Sequence, residues 1–183
     1  LYMNSNLNEI FQEFSSKMKK HKLPHWEDLP EIDLYMDQVI ALMEKYLSDL
    51  TTQDDSKLIT PSMINNYVKL NIIPAPIKKK YSREHIAYLV IICSLKQVMP
   101  IPKIKELIDL KLQSCKIEDL LNNYSDLYQK TFNDVLETSN TFLDKNENSI
   151  FDTSFFLAVA SSHCRYVSET ILKMEENNST KKK

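Results

Sequence analysis

The chain has 183 residues, a formal net charge of -2 and no glycine. That length suits one domain or one domain with an appendage, and 43% hydrophobic with 26% charged residues is the composition of a soluble globular protein. Without glycine there is no P-loop, no dinucleotide-binding fingerprint, no EF-hand loop and no nucleophile elbow.

In chain order, Leu7, Ile10, Phe11, Phe14 and Met18 recur at three and four residues. This predicts an amphipathic helix of about fourteen residues, closed by Lys17, Lys19, Lys20 and Lys22. Residues 24–30 read as a linker in which Trp26 is a packing anchor. Asp33 is the expected N-cap of a helix running to Leu50, followed by a polar connection over residues 51–59. Thr60 before Pro61 opens a short helix to about Leu70. Asn71 is expected to end it in the left-handed conformation. Pro74 and Pro76 force an extended path, read as one wing strand at Ile72–Ile77 and another near Tyr81. Ser82 caps a nearly all-apolar helix to about Met99, of the kind that sits at the centre of a domain. His85, in its first turn, is read as a packed or capping histidine. Pro100 and Pro102 start the next helix. A long helix follows from Ser114 or Lys116 to Leu143, then a polar loop over Asp144–Asp152. A last helix runs from Thr153 or Ser154 to Glu176, and a tail is expected to fray.

Between Lys57 and Lys105 there are nine basic residues and one acidic residue, Glu84. Residues 1–56 and 106–160 each carry a net charge of -6. A basic block inside an acidic chain points to a phosphate-facing surface. The competing reading is a solvated hairpin.

The pattern T-x-x-M-I-N-N-Y-x-K-x-x-I-I-P from Thr60, then K-K-Y-S-R-E-H-I and L-K-Q-V, resembles a bacterial family labelled domain of unknown function 1836. Through it the chain is similar to the MerR-type winged helix-turn-helix regulators. W-E-D-L-P-E-I-D-L-Y-M-D-Q-V, from Trp26, fits the same family, and the resemblance covers roughly residues 23–108. It implies a recognition helix bearing Ser62, Met63, Asn65, Asn66 and Tyr67, and a basic wing before Tyr81. Two positions depart from the MerR pattern: Asn71 stands for the usual glycine of the turn, and Asn66 for the usual arginine.

The expected fold is therefore mainly helical, all-α with a small β-wing: a MerR-like winged helix-turn-helix head followed by C-terminal helices. The expected divisions are an N-terminal helix and linker (1–30), the head (31–112), a helical packing or dimerisation region (113–176) and a disordered tail (177–183). The expected function is a DNA-binding transcriptional regulator in a bacterial cytoplasm, with double-stranded DNA as partner and a homodimer as its form. Asn65 and Asn66 would offer amides to base edges. Ser62, Lys69, Lys78, Lys79, Lys80 and Arg83 would hold the backbone phosphates. The alternative is a helical protein-interaction or scaffold module that keeps the fold without DNA binding.

No enzyme is expected. The four histidines form no metal pattern, no carboxylate pair stands out, and His163 and Cys164 are adjacent on a helix and point apart. No catalytic residue, metal or cofactor is assigned, and no effector is identified. Cys93, Cys115 and Cys164 read as reduced and cytosolic. No signal peptide and no run of eighteen apolar residues is present. The rings of Tyr124, Tyr128, Phe132, Phe142, Phe155, Phe156 and Tyr166 are read as a plain helical core, with a sensor pocket as the competing reading.

Overall fold

The helices are α1 (Tyr2–Met18), α2 (Met36–Leu47), α3 (Pro61–Lys69), α4 (Arg83–Leu95), α5 (Ile101–Leu112), α6 (Ile117–Lys145) and α7 (Ser149–Thr180). One 3₁₀ turn at Trp26–Asp28 precedes α2. The computed structural model describes residues 2–48, 58–145 and 149–180. The chain divides into two units, residues 21–129 and residues 1–20 with 130–183.

In the first unit α4 is the centre. His85 and Ile86, Ala87, Leu89 and the run Val90–Cys93 are all buried. A helix apolar on every side must be surrounded, and here α2 and α5 both pack against α4 while α3 packs on α2. The start of α4 is fixed locally. His85 Nδ1 accepts a hydrogen bond from the Ser82 backbone N–H at 3.0 Å, and the Tyr81 ring meets the imidazole edge-on at 5.4 Å. The histidine thus caps the helix, as its position suggested. The linker is tied to α6 by three polar contacts. Ser125 donates to the Pro24 carbonyl at 2.8 Å, the Trp26 N–H donates to Asn122 at 2.8 Å, and His25 meets Asp126 at 2.9 Å. The Tyr124 and Ser94 hydroxyls, 2.6 Å apart, join α6 to α4.

The ends of α3 follow from its sequence. Thr60 Oγ1 accepts from the Met63 N–H, and Pro61 occupies the first helical position. At the other end Ile72 N–H donates to the Tyr67 carbonyl and Asn71 N–H to that of Val68, which is the Schellman pattern. Asn71 has φ 52°, in the place glycine usually takes.

Helix α2 starts later than Asp33 predicts. Leu34 exchanges both backbone hydrogen bonds with Tyr81, which holds the chain extended there. Tyr35 becomes the N-cap instead, its N–H donating to Gln38 at 2.9 Å.

The second unit joins α1, the later part of α6 and α7. Gln12 donates to Asn140 at 2.7 Å, and Phe142 stacks on Phe156 with centroids 4.2 Å apart. Helix α7 begins at Ser149, inside the stretch read as a polar loop, and extends to Thr180; residues 146–148 and 181–183 lie outside the described residues.

The β-wing does not form. Among the described residues there is no β-strand, only the isolated bridges Leu34↔Tyr81 and Ile77↔Lys80. Pro74 and Pro76 have no N–H to extend a ladder. Lys78 and Lys79, at φ 51° and 64°, turn the chain straight back after a single pair. The fold is all-α, and a MerR-like winged helix-turn-helix head does not describe it. The expected polar connection between α2 and α3 falls largely on residues 49–57, outside the described residues. No described helix is long and apolar enough to cross a membrane.

Candidate functional site

The basic stretch is where the sequence placed the site. Ser62, Asn65, Asn66 and Lys69 lie on the exposed side of α3, and Lys78 and Lys79 are exposed at their turn. Lys80 is half-buried, its ammonium 5.2 Å from the centre of the Tyr35 ring. Arg83 is held more firmly. Its side chain is 16% exposed, with Glu27 at 3.9 Å and Glu31 at 3.5 Å, and its guanidinium lies 5.3 Å from the Trp26 ring centre. Its Nε also points at the Pro30 carbonyl, 3.5 Å away. Arginine suits this combination of carboxylates and an aromatic face. On α5, Lys103 pairs with Glu106 at 2.7 Å and Lys105 pairs with Asp109.

Three of the block's nine cations, Arg83, Lys103 and Lys105, are therefore answered by carboxylates in the linker and on α5. This geometry overturns the reading as a MerR-like, DNA-binding regulator with double-stranded DNA as partner. The wing meant to hold the flanking backbone is missing, and the arginine beside it is turned toward two glutamates.

The buried titratable groups of this unit are suited to packing. Burial pushes the Cys93 thiol up to about 12, against a smaller downward pull from Lys96. Burial pushes the Tyr67 phenol up to about 12, with Cys93 adding to the rise. The Tyr124 phenol is also pushed up to about 12 by burial, and its hydrogen bond to Ser94 opposes the rise. A thiol held protonated in this way is no nucleophile. Among the described residues no group of three or more His, Cys, Asp or Glu side chains could hold a metal ion.

The feature that sequence reasoning missed is the outer side of α7. Phe151, Phe155, Val159, Tyr166, Val167, Ile171 and Met174 are each between 52% and 77% exposed. The first four recur at intervals of four, four and seven, so they share one face; Val167 and Met174 lie further round the helix, and Ile171 falls in line with Thr153. Thr153 and Leu172 are buried and mark the inner side. Phe155 and Tyr166 had been read as core. The signal was weak because apolar residues occur all round α7, and such a pattern does not say which side is covered.

The family model described as Domain of unknown function (DUF1836) matches residues 24–131. No curated protein and no solved structure matches the chain. The matched region nearly coincides with the α4-centred unit and leaves α7 outside it.

Proposed function

This chain belongs to the DUF1836 family, matched over residues 24–131, and from that premise we propose that it works as a helical protein-interaction module. The observation that carries the reading is the row of four large, exposed apolar side chains on one face of α7, Phe151, Phe155, Val159 and Tyr166. A contiguous apolar surface of this kind is where another protein docks. From Phe151 to Tyr166 the row extends about 22 Å along the helix, a length suited to helix-on-helix recognition.

The occupant proposed is a second copy of this helix, laid antiparallel. Pairing about a point between Ser162 and His163 sets Phe151 against the partner's Met174 and Val159 against the partner's Tyr166. The same register sets Asp152 against the partner's Lys173, carboxylate to ammonium, and Phe155 against the partner's Thr170. The role is read as non-catalytic, which the protonated Cys93 supports. The place is read as a bacterial cytoplasm, which the three free cysteines support.

Light scattering on the purified chain tests this. The wild type is expected to be a dimer at about 100 μM, within the range of a micromolar dissociation constant. Val159→Asp with Tyr166→Asp is expected to give a monomer with unchanged far-UV circular dichroism. A wild-type monomer at that concentration, or a dimer untouched by the double substitution, would overturn the proposal.

A further inference from the structure

We infer that the unit built from α1, the end of α6 and α7 binds a small, neutral, mostly apolar molecule, oriented by one hydrogen bond to Thr153. A cavity of about 360 Å³ lies among these three helices. Ile10, Phe11 and Phe14 of α1 form one wall, with Leu143 of α6 and Leu157 of α7 opposite. That volume falls within the range of small-molecule sites, roughly 300–1,000 Å³, which are typically apolar with a few placed polar groups. Ile10 and Phe14 are about half exposed, which leaves the cavity open on the α1 side.

The remaining lining is two hydroxyls, of Thr153 and Ser154. Thr153 is 5% exposed, and its Oγ1 is buried without a hydrogen-bond partner. Hydroxyls elsewhere in α6 and α7 settle this need locally. Those of Thr138, Ser139, Thr141 and Thr170 each donate to the carbonyl four residues back, at 2.7–3.0 Å. Thr153 does not. An orphaned hydroxyl in an apolar cavity is costly, and a ligand atom that pairs with it removes the cost.

The lining also selects the ligand class. Among the described residues it holds no charged side chain, so the described walls offer no counter-charge to a carboxylate or ammonium. An alcohol, phenol or ketone on an aromatic or medium-length aliphatic body fits both the walls and the hydroxyl. None of the rings singled out in the sequence as pocket-forming lines this cavity.

The test uses the full chain and N-phenyl-1-naphthylamine, a neutral probe that brightens in apolar surroundings, with 1-naphthol and naphthalene as competitors. Saturable probe binding at one site is expected. Thr153→Val should weaken 1-naphthol by about five- to tenfold and leave naphthalene within about twofold, because only the first can use the hydroxyl. Leu157→Trp, which fills the cavity, should abolish binding of both. Val159→Asp with Tyr166→Asp should leave probe binding unchanged, separating the cavity from the outer face of α7. Absence of saturable binding, or an equal change for both competitors in Thr153→Val, would overturn the inference. Should Leu157→Trp fail to fold, the paired competitors on Thr153→Val still decide.

Discussion

Helices α4 and α7 both place large apolar residues on more than one side and meet opposite fates. In α4 these are enclosed, with Ile86, Leu89, Val90 and Ile92 at zero exposure. In α7 the inner side is covered at Thr153 and Leu172, while the outer side stands in solvent. What separates them is the number of neighbours, which the helix's own sequence does not encode. An all-apolar helix means a surrounded helix only when enough other elements exist to surround it. Where they do not, the apolar side chains left over become a surface for association.

The sharpest way to break this contrast is to truncate one side chain in each helix. Ile92→Ala leaves a cavity in a sealed core and is expected to cost about 2–5 kcal/mol in urea unfolding. A loss below about 1 kcal/mol would mean that the α4 core is looser than its burial indicates.

Alkaline pH should act next most strongly, and through the α4-centred unit. Cys93, Tyr67 and Tyr124 have raised values in the folded state. The folded protein therefore keeps protons that the unfolded chain releases, and stability falls wherever the folded state binds more of them. The contribution is intact below about pH 8.5, where the unfolded thiol begins to ionise, and is lost as the pH rises toward about 12. A urea midpoint that stays flat from about pH 8 to 11 would contradict this placement of the three groups.

The smallest effect belongs to α7. Phe155→Ala should alter stability by no more than about 0.5 kcal/mol under conditions where the chain is monomeric. A loss comparable to that of Ile92→Ala would show that Phe155 is enclosed after all and would erase the contrast.

Much of the α4-centred unit was legible because its signals are local. Thr60 with Pro61, Asn71 after α3, and His85 after Ser82 each act on backbone a few residues away. The limits of α6 were legible for a similar reason, its apolar residues recurring at helical spacing, with interruptions at Thr131 and Thr138, up to the polar stretch near Lys145. The supposed wing was misread because Pro74 and Pro76 force an extended path, and a path without free N–H groups does not extend a ladder. The pairing of Arg83 was hidden because charge was counted along the chain. Glu27 and Glu31 are more than fifty residues from Arg83 and reach it only through tertiary folding. The start of α7 was misread because polar residues near a helix's first turn look like loop until the fold supplies packing for the face they leave.

The ion-paired arginine over Trp26 has a consequence for anyone watching this protein in solution. Trp26 is the chain's one tryptophan, and it sits wholly within the α4-centred unit, beneath the Arg83 guanidinium. Its emission is a built-in beacon for that unit and is dark to α7. Ellipticity, by contrast, sums over every helix. Recorded together during heating, one signal follows the α4-centred unit and the other follows both units at once. A lag between them would time the loss of one unit against the other without a single label being attached.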